Sequence, residues 1–257
     1  MEFDLLTFII VCPLVGLAGF IDGIAGGGGL ISLPAYFIAG VPPHLALGTN
    51  KMSAALGTFT ATFRYFKEGY INIPFSLFCL IFAGLGSVLG TQLVLCIDQN
   101  LIKICMLFVL PVVAFLLFFS KSLKNSEKNS RYIPPVKRHI LGALVSFSIG
   151  IYDGLVGPGT GTFLIVLLII FDGLKLSTAN GTSKVINLAT NIASLAVFLY
   201  HGEGYLLLGL VAGIFSVLGN YLGTKFFDKK GLKGARIIML TVIFIFFIKI
   251  GFELGGY

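Results

Sequence analysis

The sequence predicts an all-α, polytopic bundle of transmembrane helices made of two homologous repeats, and three observations predict it. Hydrophobic residues make up 56% of the 257 residues and charged residues only 11%, against about a quarter charged in soluble domains. One soluble core of this size cannot hide so much apolar surface. The apolar residues also fall into long runs suited to a bilayer. Finally, blocks of sequence recur between the halves at a nearly constant offset.

Ten apolar runs follow in order. The first half holds 5–24, 30–39, 45–66, 73–97 and 101–119, and the second holds 140–156, 162–171, 177–200, 205–227 and 235–252. Eight have the length, or nearly the length, of a spanning helix, about 17–25 residues. The second run of each half is too short to span alone and predicts a broken or re-entrant helix, which membrane depth tolerates only where protein or a water-filled cavity satisfies the backbone. The N-terminus has Glu2 and Asp4 in place of the basic start of a signal peptide, so the first run is expected to stay in the mature protein.

The repeat is legible residue by residue. Gly19–Gly26 matches Gly150–Gly157, and the stretch Gly48-Thr49-Asn50-Lys51 matches Gly181-Thr182-Ser183-Lys184. The turn 65–70 matches 200–205, and 86–91 matches 219–224; the offsets run from 131 to 135. Residues 1–120 are therefore the first repeat, 121–138 a polar linker and 139–257 the second repeat.

Charge orients the chain. The net charge is +7, and ten of the eighteen Lys and Arg residues lie in two loops: Lys121, Lys124, Lys128, Arg131, Lys137 and Arg138, then Lys229, Lys230, Lys233 and Arg236. Such loops read as cytoplasmic rather than as a nucleic-acid surface. Five crossings per repeat would invert the repeats, and four would leave them parallel. Both counts keep the basic loops inside. The inverted arrangement is favoured, because it is a common transporter plan.

Three constellations are candidates for chemistry. The glycine breaks Asp22–Gly29 and Asp153–Gly161 interrupt any continuous helix. Each short run after a break would begin with free N–H groups and the positive end of a helix dipole, together an anion site without formal charge. Tight helix packing is the competing explanation for the glycines. The Gly-Thr-x-Lys starts offer Thr49, Asn50, Lys51, Ser183 and Lys184 to an anion's oxygens, unless the lysines merely snorkel to the interface. Asn187 and Asn191 share one helix face. Asp22 and Asp153 precede the breaks and would tie down the broken backbone, or serve as ion-coupling acids.

Other classes find no support. The four cysteines form no C-x-x-C pair, and the three histidines form no metal pattern. No G-x-S-x-G, H-E-x-x-H or G-x-x-x-x-G-K-[ST] motif occurs. No enzyme, metal site, cofactor or ATP-driven pump is therefore expected. The partners expected are a small anionic solute and membrane lipid.

Taken as a set, Asp-Gly with its glycine-rich break, then Gly-Thr-Asn-Lys, then Phe63-Arg64-Tyr65-Phe66-Lys67-Glu68-Gly69, resembles the sulfite exporter TauE/SafE family of membrane permeases. The run Gly181-Thr182-Ser183-Lys184-Val185-Ile186-Asn187 resembles it too. The resemblance spans about residues 5–251. It implies a multi-pass permease of the bacterial inner membrane for sulfite, an organosulfonate or a related sulfur oxyanion. It points to Gly26, Gly27, Gly28, Gly29, Thr49, Asn50, Lys51, Gly157, Gly159, Gly161, Ser183, Lys184 and Asn187. Pro158, and Ser183 opposite Asn50, depart from exact symmetry. An anion channel, or a carrier of another solute coupled through Asp22 and Asp153, are the rival functions.

Overall fold

The computed structural model describes residues 4–119 and 133–230, with side chains described through 112 in the first stretch and through 227 in the second. Nine helices account for most of those residues: α1 (Leu5–Ala25), α2 (Gly29–Ile38), α3 (Pro43–Lys67), α4 (Ile73–Leu95), α5 (Gln99–Phe119), α6 (Pro135–Leu155), α7 (Thr160–Asp172), α8 (Leu176–Tyr200) and α9 (Leu206–Lys230). Most of the linker 121–138 and the whole run 235–252 lie outside the described residues.

Local chemistry sets the helix ends. Asp4 caps α1 by accepting from the Leu5 N–H at 2.9 Å, the usual service of a short polar side chain there. Gly26 ends α1 in the left-handed region, φ 78°, and its N–H returns to the Asp22 carbonyl at 2.9 Å. Gly173 ends α7 the same way, φ 64°, as a C-terminal glycine commonly does.

Polarity is arranged inside out. Leu77, Ile81, Leu85, Leu89 and Leu93 form an exposed stripe along α4, and Leu207, Leu210, Ile214 and Leu218 form another along α9. Residues buried inside include Asp22, Lys51, Asp153, Lys184, Asn187 and Asn191. Lipid suits such an exterior, and water does not. Among the described residues, four helices are both long and apolar enough to cross a bilayer: α1, α4, α8 and α9 over Leu206–Phe227. Of the other four runs expected to span, 101–119 is described with side chains only through 112, and 235–252 lies outside the described residues. Helices α3 and α6 have the length, 25 and 21 residues. Asn50, Lys51, Arg64 and Lys67 on α3, and Lys137, Arg138 and Asp153 on α6, lower their mean hydropathy.

Packing crosses the middle of the chain. Helix α4 runs parallel to α6, with Gly142 against Phe75 and Cys79, Gly150 against Ala83, and Gly154 against Ser87. It also follows α8, where Ser87 Oγ donates to the Thr190 carbonyl at 2.8 Å and lies 2.6 Å from Ser194 Oγ. Helix α9 runs parallel to α1, Gly19 against Ser216 and Gly23 against Asn220, and parallel to α3, Gly209 against Met52 and Gly213 against Leu56. Small residues let these backbones approach closely, as membrane helices require. Gly150→Val should therefore destabilise the protein by about 1–3 kcal/mol through overpacking against the Ala83 backbone. Leu85→Ala, on the outward face, should leave the melting temperature in the same detergent nearly unchanged.

The helices share two ends. The rings of Phe75 and His139 meet at 5.7 Å, and Arg64 stacks on Tyr221 at 5.0 Å, so the α3–α4 turn, the start of α6 and the end of α9 lie together. At the opposite end His44 Nε2 meets the Val94 carbonyl at 3.1 Å, and Thr49 Oγ1 accepts from the Tyr205 N–H at 3.0 Å. His44 is in the first turn of α3. Helix α2 folds back along α1, since Gly28 sits against Ala18 and Asp22. Helix α7 folds back along α6, where the rings of Tyr152 and Phe163 meet at 5.5 Å.

Candidate functional site

The two helical hairpins meet tip to tip. Gly26 lies against the backbone of Gly161 and Thr162, and Gly29 against Pro158. A helix that ends inside a protein exposes its last carbonyls, and each needs a donor. At the end of α1 each finds one from a distant side chain. The Asp22 carbonyl accepts from Lys184 Nζ, and the Gly23 carbonyl from Tyr65 OH at 2.7 Å. The Ile24 carbonyl accepts from Asn180 Nδ2 at 3.2 Å, and the Ala25 carbonyl from Thr162 Oγ1 at 2.6 Å. At the end of α6 the Asp153 carbonyl accepts from Lys51 Nζ at 2.7 Å. Each lysine therefore stands at a helix C-terminus, where the dipole favours a cation.

The same lysines bind the carboxylates. Lys51 Nζ donates to Asp153 Oδ2 at 2.6 Å, and Lys184 Nζ lies 2.9 Å from Asp22 Oδ2. The pairing is crossed, because Lys51 comes from α3 and reaches the end of α6, while Lys184 comes from α8 and reaches the end of α1. Both lysines are buried, Lys51 at 3% and Lys184 at 0% exposure, so neither snorkels to an interface. Asp153 Oδ1 also accepts from Thr160 Oγ1 at 2.7 Å, which bridges the break between α6 and α7.

A cavity of about 50 Å³ opens between these groups. By the same kind of measure one water needs about 10–15 Å³, so the space suits a few waters or one small ion. Asp22, Gly26, Gly28, Gly29, Asn50, Lys51, Asp153, Gly157, Gly161 and Asn187 line it. Gly27, Thr49, Gly159, Ser183 and Lys184 are not in its wall. Ser183 Oγ donates to the Asn180 carbonyl at 2.7 Å, and Thr49 ties α3 to the start of α9. Neither α2 nor α7 has a side-chain N-cap, and their first residues Gly29, Thr160 and Gly161 face the cavity.

Sequence reasoning passed over Asn220 and Ser216 of α9, which complete the wall. The signal was present: Asn220 is an amide within an apolar run, and such residues default to function. The side-chain oxygens of Asn50 and Asn220 are buried without a hydrogen-bond partner. Asn50 can meet a ligand through oxygen or, after a flip, through nitrogen, whereas the Asn220 orientation is held by its Nδ2 donating to the Ser216 carbonyl at 3.1 Å.

Comparison with known proteins places the chain in a family of membrane transporters. The sequence pattern of the family described as sulfite exporter TauE/SafE matches residues 11–250. A probable membrane transporter protein of Haemophilus influenzae is 35% identical over 254 residues, covering 99% of this chain and 97% of its own length. One from a Sinorhizobium species is 33% identical over 242 residues, covering 94% and 90%. The probable membrane transporter protein YfcA of Escherichia coli is 28% identical over 241 residues, covering 93% and 88%. No solved structure matches the chain.

Proposed function

Since the chain belongs to the sulfite exporter TauE/SafE family of bacterial membrane transporters, we propose that it is a secondary carrier binding a small oxyanion, sulfite or a sulfonate, in the cavity between the two hairpin tips. One observation carries this reading: two helix starts without side-chain caps open onto one half-open cavity beside Lys51. Their backbone N–H groups and dipole ends favour an anion, and the amides of Asn50, Asn187 and Asn220 can orient its oxygens.

The lysines act differently from a bare cationic trap. Among the described residues, two lysines and two aspartates sum to zero, so they leave the resting cavity no net charge to attract or expel an ion. A buried lysine with no partner would be far more costly. Lys51 is the one lysine in the wall among the described residues, and it is the cation that would touch the anion. Lys184 would act from behind Asp22.

Inverted repeats are part of the same proposal. Helices α1 and α3 run with α9, while α6 and α8 run with α4. Matching helices of the two repeats thus point in opposite directions. Each hairpin enters and leaves at one end, so it adds no net crossing. In the first repeat α3, α4 and α5 remain, an odd count that supports inversion, with the basic loops together on the cytoplasmic side of the inner membrane. Rocking of whole repeats is not the motion this packing favours, because α4 grips α6 and α8 while α9 grips α1 and α3. Movement of the hairpin tips against that frame suits it better.

A thermal-shift series on the purified protein tests the substrate class. Sulfite, sulfonates or thiosulfate at about 100 times Kd should stabilise the wild type by about 2.7 kcal/mol. Lys51→Ala and Asn50→Ala should lose that increment. Stabilisation by cations alone would sink the anion reading.

A further inference from the structure

We propose that Asp22 carries a coupling proton: the cavity accepts an anion only when the Asp22 carboxyl is protonated, so one proton travels with each anion. This deepens the anion reading above and rests on it.

Among the described residues, the ionisable side chains at the cavity are few. Asp22 of α1, Lys51 of α3 and Asp153 of α6 line it, and Lys184 of α8 stands behind Asp22. Helices α2, α7 and α9 give only uncharged groups to the wall, among them Ser32, Thr160 and Asn220. Tyr65 of α3 is engaged with the Gly23 carbonyl. These four charges cancel. A monoanion would leave a buried net charge of minus one beside a carboxylate, and like charges that close force one group to take a proton.

The two aspartates differ in how firmly they are held. Both oxygens of Asp153 are engaged, Oδ2 by Lys51 at 2.6 Å and Oδ1 by Thr160 at 2.7 Å, and its side chain is 3% exposed. Asp22 is held at one oxygen, 2.9 Å from Lys184 Nζ, and that contact lies off the hydrogen-bond direction. Both aspartates belong to the cavity wall, but the Asp22 side chain is the more open, 12% exposed. Asp22 is therefore the acid that meets the ligand and changes state.

The balance is simple. A proton from water adds to a carboxylate oxygen of Asp22, and the new O–H donates to an oxygen of the anion. Lys184, relieved of its countercharge, offsets the anion. When the cavity opens to the other side, the anion leaves, the carboxyl returns its proton to water, and the Lys184–Asp22 pair reforms.

Proteoliposomes with an internal pH dye decide the matter. The probes are sulfite and methanesulfonate, the latter an anion throughout the pH range, with protein-free liposomes subtracting passive leak. In the wild type, uptake should acidify the lumen by one proton per anion. Affinity should fall by about tenfold per pH unit once the carboxyl ionises. Asp22→Asn, a permanent mimic of the protonated acid, should bind methanesulfonate with no pH dependence and move no protons. Uptake by the wild type without acidification would overturn the proposal, whatever the variant does, as would a variant that keeps the wild-type proton ratio. Uptake of neither anion would remove the anion reading, and this proposal with it.

Discussion

Replacing Lys51 with methionine is expected to lower stability by about 3–5 kcal/mol, because it strands the Asp153 carboxylate in a buried site. The lost group is more than a countercharge. Lys51 Nζ also donates to the Asp153 carbonyl at the end of α6, and an unsatisfied buried carbonyl costs a further increment of about 1–3 kcal/mol. Adding Asp153→Asn to Lys51→Met should recover the charge part and leave the carbonyl part. Equilibrium unfolding of the two single variants and the double variant in one detergent measures this as a coupling energy. Additive single effects would show that the pair does not operate as a pair. The double variant should still fail to bind the anion, since the cation in the wall is gone.

The second large effect is expected at Gly26. It has φ 78°, and a Cβ there would overlap the backbone of Gly161 and Thr162. Left-handed backbone costs alanine about 1–2 kcal/mol, and overpacking adds about 1–3 kcal/mol. Gly26→Ala should thus lose about 2–5 kcal/mol, the sum of those ranges, and should separate the hairpin tips that enclose the cavity. Gly40 has the same φ, 78°, but open space around it. Gly40→Ala should cost only the backbone part and leave anion binding intact. Equal losses in the two melting curves would mean that the contact between the tips contributes nothing.

How far the sequence reveals this depends on how local the cause is. Helix ends written by glycine and proline were readable: the runs 30–39 and 162–171 sit close to α2 at Gly29–Ile38 and α7 at Thr160–Asp172. The shortness of α2 was visible too. Its direction was not, because that depends on Gly28 packing against Ala18 and Asp22. The polar site residues were conspicuous in apolar surroundings. Their partners were not, since Lys51 and Asp153 are 102 positions apart and Lys184 and Asp22 are 162 apart. No spacing rule reaches that far. The carbonyls of Gly23, Ile24 and Ala25 had to find donors once α1 ended inside the protein. The sequence offered no sign that Tyr65, Asn180 and Thr162 would supply them.

The central claim is that the cavity between the hairpin tips carries an anion by alternating access. Counterflow of labelled sulfite in proteoliposomes tests it most directly. The account predicts saturable uptake, accelerated by unlabelled sulfite on the opposite side and abolished in Lys51→Ala. Flux that rises linearly with concentration, without acceleration from the opposite side, would contradict it and make the protein a channel.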